Sequence, residues 1–61
     1  MLENQRKERI IGLLTENTTM STSKLSKRLY VSDATVRRDL GDLERAGRIH
    51  RVHGGAELVS G

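Results

Sequence analysis

The sequence contains no cysteine, no proline, no tryptophan and no phenylalanine, and its single aromatic residue is Tyr30. Without cysteine there is neither a disulfide nor a thiolate metal site, so an apolar core alone must hold the fold. Without proline the usual helix breaker is missing, and element ends must be marked by glycine and by capping side chains. Near-absence of aromatics weighs against a module that reads splayed RNA bases by stacking. No apolar run approaches membrane-spanning length, and five charges in the first ten residues are incompatible with a signal peptide. A soluble, cytoplasmic protein is expected. In 61 residues there is room for one domain, and a chain this short hides only about 60% of the surface its unfolded form exposes.

Catalysis is not expected. The chain offers no nucleophile with an adjacent base and no obvious cleft, and Asp39 and Asp42, three apart on one helix face, have no second catalytic group opposite. Gly54-Gly55 is not followed by the Lys-Ser/Thr of a phosphate loop. No cofactor is expected either, since His50 and His53 without cysteine leave a zinc ion short of ligands. What is present is positive charge. The net charge is +3 and the isoelectric point is near 10.0, which favours a polyanionic partner. Residues 1–30 hold six Lys/Arg against three Asp/Glu, whereas residues 31–61 hold five of each. A basic surface in the second half must therefore come from sorting charges onto faces.

Three stretches have helical periodicity. Over residues 3–16, Ile10, Leu13 and Leu14 recur at i, i+3, i+4 beside Ile11, with Gly12 in the interior at a cost of about 1 kcal/mol relative to Ala. Asn17, tolerant of the left-handed conformation, is expected to end this helix. Met20 falls in a short extended piece. Ser21 then caps a two-turn helix over residues 22–29, with Leu25 and Leu29 inward and Lys24, Lys27 and Arg28 outward. Tyr30 and Val31 connect tightly to Ser32, which caps a third helix over residues 33–46, closed by Gly47. At 100° per residue, Val36, Leu40 and Leu43 fall within about 60° of arc, while Ala34, Arg38, Gly41 and Arg45 face the other way. Two helices joined by so short a link have the spacing of a helix-turn-helix. Residues 48–59 read as extended, turned at Gly54-Gly55 and returning through Ala56 to Val59, with Ser60-Gly61 a frayed end. The expected fold is mainly α with a small β-hairpin: a winged helix-turn-helix of three helices plus a wing.

At V-S-D-A-T-V-R-R-D-L followed by R-V-H-G-G-A, the sequence resembles the N-terminal DNA-binding domain of the DeoR family of bacterial transcriptional regulators. The resemblance runs through R-I-I-G-L-L and S-T-S-K-L-S-K-R-L-Y-V-S and covers essentially the whole chain. It implies a module that binds a double-stranded DNA operator, usually in a repressor of sugar or nucleoside catabolism genes. It further implies a larger C-terminal domain, absent from this chain, that senses a phosphorylated sugar. The isolated domain is then expected to be monomeric and the full-length protein a homo-oligomer. Three positions depart from the family pattern. Family members often carry Gly near Asn17-Thr18, a small residue in place of Tyr30, and a long apolar residue in place of Arg48. The alternative reading is a winged helix used for protein or RNA interaction, since this fold does not dictate function.

A recognition helix reads base edges with its N-terminal residues, which makes Asp33, Ala34, Thr35, Arg37 and Arg38 the candidates. Arg38 has the planar fork that matches guanine O6 and N7, and Ala34 can meet a thymine methyl. Thr35 and Arg37, on opposite flanks, suit phosphate contacts. Ser32 opens the helix beside them. Ser21, Thr22 and Ser23 stand where the second helix points its N–H groups at the sugar-phosphate backbone. In the wing, Arg51, His53 and Gly54 are the candidates, on a turn compact and flexible enough to reach a narrow minor groove. Asp39 points toward the core's edge, in reach of Arg6 or Arg9 from the first helix.

Overall fold

The computed structural model describes residues 2–59, so the frayed end expected at Ser60-Gly61 lies outside the described residues. Three helices and three short strands follow in the order α1 (Glu3–Asn17), β1 (Thr19–Ser21), α2 (Thr22–Leu29), α3 (Asp33–Arg45), β2 (Ile49–Val52) and β3 (Gly55–Leu58). The strands form one antiparallel sheet in the order β1-β3-β2. A winged helix-turn-helix results, with the wing's hairpin enlarged to three strands by the extended piece around Met20.

All six elements contribute to one core: Ile10 and Leu14 from α1, Met20 from β1, Leu25 and Leu29 from α2, Val36, Leu40 and Leu43 from α3, Ile49 from β2 and Ala56 from β3. Full burial of a Leu or Ile side chain contributes about 1.5–3 kcal/mol, so even this small set outweighs any single polar contact. Val36, Leu40 and Leu43 occupy one stripe of α3, as their spacing requires. Among the described residues, no buried side-chain polar atom lacks a hydrogen-bond partner.

Both inner helices begin as their sequences dictate. The Ser21 hydroxyl accepts the Lys24 N–H at 3.1 Å, and the Ser32 hydroxyl accepts the Thr35 N–H at 3.1 Å. The endings are less ordinary. Asn17 does not take the left-handed conformation expected of it; it stays helical, its side-chain amide donating to the Leu13 carbonyl at 2.9 Å. Thr18 turns the chain instead, at φ 65° and ψ −59°, a conformation that costs a β-branched residue on the order of 1–3 kcal/mol. At the end of α2, Tyr30 adopts φ 58° and ψ 42°, and the Tyr30 and Val31 N–H groups both donate to the Ser26 carbonyl. The two places where the family pattern favours Gly or a small residue are thus, among the described residues, the two non-glycine positions with positive φ. After α3, which ends at Arg45 with Ala46 as cap, Gly47 supplies the positive φ of 77° expected of it.

The wing's turn lies one residue earlier than Gly54-Gly55. Val52 pairs with Gly55, leaving His53 and Gly54 as the two-residue connection, with Gly54 at φ 76°. Gly55 is a buried residue of the central strand, where a Cβ would lie 2.2 Å from the Met20 carbonyl oxygen of β1. The Gly54 carbonyl in turn accepts the Thr22 N–H at 3.0 Å. The wing's tip is therefore held against the start of α2, with Gly54 alone of the glycine pair in the turn and Gly55 a close-packing residue of β3.

Helix α1 is bound to α3 by charge as well as by packing. The Arg6 guanidinium grips Asp39 with two hydrogen bonds, Nε to Oδ2 and Nη2 to Oδ1, the latter at 2.9 Å. The Asp39 side chain is 0% exposed and that of Arg6 is 14% exposed. The hydrogen bond to Asp39 holds the Arg6 pKa above its ordinary value, against an opposing effect of burial. Of the two arginines in reach, Arg6 is the partner. One turn on, Lys7 pairs with Asp42 at 3.0 Å; that hydrogen bond raises the Lys7 pKa and lowers the Asp42 pKa. The carboxylates of Glu3, Asp39 and Asp42 converge here, but Arg6 and Lys7 already compensate them.

Two substitutions test this account. Gly12 is exposed and an added Cβ would meet nothing within 4 Å, so Gly12→Ala should raise unfolding free energy by about 1 kcal/mol, read by urea denaturation. Arg6→Met leaves Asp39 buried without its cation and should lower stability by about 3–5 kcal/mol, read by thermal melting. A cooperative melt unchanged from the parent would mean that the pair does not hold α1 to α3.

Candidate nucleic-acid interface

Burying Val36, Asp39, Leu40 and Leu43 fixes the rotation of α3 about its own axis. Ala34, Arg38 and Arg45, about half a turn away, are exposed. Arg37 is also exposed and lies on the flank of α3 that carries Glu44, two turns further on. The Glu44 carboxylate faces the Arg51 N–H of β2 at 3.4 Å, which identifies that flank as the wing's side. Arg51 pairs in register with Ala56, and Ala56 with Met20; residues so paired share a sheet face. Arg51 therefore projects from the face that packs on α3, but near the open end, where it is exposed. His50, Glu57 and Thr19 share the opposite face. Arg37, Arg38 and Arg51 thus border one surface, with His53 and Gly54 exposed at the wing's tip beside it.

The hydroxyl residues divide. Ser32 is exposed and doubly engaged with Thr35, accepting its N–H and donating to its hydroxyl at 3.0 Å. Ser21 is half-buried and serves as the N-cap of α2, whereas Ser23 is exposed. Thr22 departs from the expectation. Its side chain is buried and its N–H is committed to Gly54, so that N–H is not free for a phosphate; the hydroxyl spacing alone could not reveal a partner 32 residues away. Lys24, Lys27 and Arg28 are exposed, as their outward positions require, and with Ser21 and Asn17 they line a shallow groove of about 590 Å³ beside α2.

Charge pairing is unevenly distributed. Of the eleven Lys and Arg, Arg6, Lys7, Arg45 and Arg48 pair with carboxylates among the described residues. Arg48, at the wing's root, reaches Glu8 of α1 at 2.6 Å; this contact lowers the Glu8 pKa and raises that of Arg48. It occupies the place where an apolar residue is common in the family. Arg9 aside, the cations without an acidic partner among the described residues are Lys24, Lys27, Arg28, Arg37, Arg38 and Arg51, all on α2, the first half of α3 and the wing. Glu8, Asp39 and Asp42 are taken up in these pairs, whereas Glu44 stands on the flank of Arg37 and Arg51 and Asp33 opens α3.

Comparison with known proteins agrees with this geometry. The DeoR-like helix-turn-helix domain matches residues 6–61. The HTH-type transcriptional regulator GlpR of Haloferax volcanii is 48% identical over 60 residues, 98% of this chain and 24% of that protein. The lactose phosphotransferase system repressor of Streptococcus mutans is 45% identical over 56 residues, 92% of this chain and 22% of that protein. The L-fucose operon activator of Escherichia coli is 43% identical over 54 residues, 88% of this chain and 22% of that protein. The chain spans about a quarter of the length of these relatives. Among solved structures, the Zalpha domain of Carassius auratus PKZ, crystallised with Z-DNA, superposes with a TM-score of 0.81 at 23% identity, covering 93% of this chain and 97% of that one; at that identity the likeness concerns the fold. With its helix order, its capped recognition helix and its R-V-H-G-G-A wing, the chain belongs to the DeoR-like helix-turn-helix family.

Proposed function

We propose that this chain is the operator-reading module of a DeoR-type transcriptional regulator, binding double-stranded DNA with α3 in the major groove and the wing against the flanking backbone or minor groove. The observation that carries the reading is the sorting of charge: cations without acidic partners gather on α2, α3 and the wing, while the ion pairs tie α1, the far end of α3 and the wing's root together. A duplex releases condensed counterions when such cations neutralise its phosphates. Arg38, at the centre of the outward stripe, takes the base-reading role, with Ala34 beside it. Arg37, Arg51, His53, Gly54, Thr35, Ser32, Ser23 and Ser21 take backbone and wing contacts. Thr22 supports the surface from within, by fixing the wing's tip. Relatives named for lactose and L-fucose systems favour regulation of sugar-linked genes. Both an activator and repressors occur among them, so the sign of regulation is carried by the parts of the protein outside this module. Dimerisation and response to a phosphorylated sugar are assigned to those parts as well, and the module alone binds as a monomer.

Selection of bound duplexes from a random library, followed by competition, tests this reading directly. Arg38→Ala should lose about 1–3 kcal/mol against the selected site and blur its preference at one base pair; unchanged discrimination against random duplex would remove Arg38 from base reading. Arg51→Ala should weaken binding to all sequences alike and reduce the slope of log affinity against log salt by about one. A slope equal to that of the parent would remove Arg51 from the phosphate contacts. Recovery of no duplex at low ionic strength would overturn the proposed function itself.

A further inference from the structure

Tyr30 has no role in the fold that would select a tyrosine. Its side chain is 93% exposed, and the other large apolar residues exposed among those described, Leu2 and Val59, stand at the two ends of the described chain. Its backbone is left-handed at φ 58°, a conformation that glycine and asparagine adopt readily and an aromatic residue does not. The cap it completes uses only its backbone N–H, donated to the Ser26 carbonyl. A smaller residue would make the same cap with less strain and without presenting an aromatic ring to water.

The position supplies the missing reason. Tyr30 lies in the turn between α2 and α3, two residues before the Ser32 cap, so its Cα is within about 7.6 Å of that of the cap residue. Residues flanking the N-terminus of a groove-bound helix meet the phosphates at the groove's edge rather than the bases. A phenol is a hydrogen-bond donor on a rigid stem with few rotatable bonds, and can reach such a phosphate at small entropic cost. We propose that Tyr30 is a further DNA-contacting residue, whose phenolic hydroxyl donates to a backbone phosphate beside the entry point of α3. This assignment rests on the DNA-binding reading above. It adds a neutral contact to an interface otherwise built from cations and small hydroxyl residues.

Neutrality makes the contact separable from the arginines. Tyr30→Asn keeps a residue suited to the left-handed turn, and its melting temperature should equal or exceed that of the parent. On a mixed-sequence duplex of about two helical turns at low salt, its affinity should fall about tenfold, the loss of one hydrogen bond to a charged group. The slope of log affinity against log salt should stay unchanged, because a phenol displaces no counterion. Tyr30→Phe should reproduce most of the loss. Parent affinity in Tyr30→Asn would overturn the proposal, and so would a loss accompanied by a lower melting temperature. Full affinity in Tyr30→Phe would show that the ring and not the hydroxyl makes the contact, and the phosphate assignment would fall. Failure of the parent to bind the duplex at all would instead sink the operator-binding reading, so the two failures are distinguishable.

Discussion

The structure turns on the grip of Arg6 on Asp39. Hydrophobic burial sets which stripe of α3 faces inward, but an apolar stripe of three residues tolerates some rotation and sliding. A carboxylate with no exposure tolerates neither, because its desolvation is compensated only where the guanidinium fork meets it with both bonds. Arg38 immediately precedes Asp39, so fixing Asp39 against α1 directs Arg38 about 100° away, onto the open face. The pair need not add net stability to do this, since buried ion pairs often fail to outperform apolar side chains of equal volume. Its contribution is to make one orientation of the recognition helix much better than its neighbours.

The same logic extends to the other acids. Residues 31–61 are neutral in sum, and a neutral half would present no basic surface if its charges were mixed at random. Asp39 and Asp42 instead lie on the α1 side of α3, taken by Arg6, Lys7 and Arg45, while Glu8 draws Arg48 to the wing's root. Arg6, Lys7 and Arg48 lie away from Arg37, Arg38 and Arg51, while Arg45 follows Arg38 two turns along the outward stripe of α3. Exposed pairs such as Arg48 with Glu8 contribute little to stability; their effect is on the shape of the field, which governs encounter with a polyanion.

Much of this was legible in the chain because the deciding signals are local. Ser21 and Ser32 announce the helix starts, the spacing of Val36, Leu40 and Leu43 gives the face of α3, Gly47 its end, and opposite charge narrows the partner of Asp39 to Arg6 or Arg9, between which the structure decides. What was not legible depends on pairing between distant segments. The Met20 stretch is too short to declare itself a strand until β3 lies beside it, and Gly54-Gly55 suggests a turn centred on both glycines until Met20 closes over Gly55. Thr18 and Tyr30 violate local preference outright. At Thr18 the surrounding packing overrides it, because Leu14 and Met20 are both core residues and the chain has little length in which to reverse between them. At Tyr30 the connection between two packed helices does the same. DNA-contact roles were inferred from helix geometry, and for Thr22 that geometry was incomplete because its N–H partner is in the wing.

The bond from Thr22 to Gly54 has a consequence for the proposed binding mode. A free N–H at the start of α2 would be one more donor for a phosphate, and the structure commits it internally. In exchange, the start of α2 and the tip of the wing are joined directly, while the Gly55 backbone packs so closely on Met20 that no side chain fits between them. Wing, β1 and the α2 N-terminus are therefore joined by hydrogen bonds and close packing, and rest on α3 through the shared core. Two grips at fixed separation lose less freedom on binding than two grips on a mobile hairpin, and for a small interface that saving can exceed one hydrogen bond to phosphate. In the proposed binding mode, the separation of wing and α3 that a duplex would meet is already set by the fold.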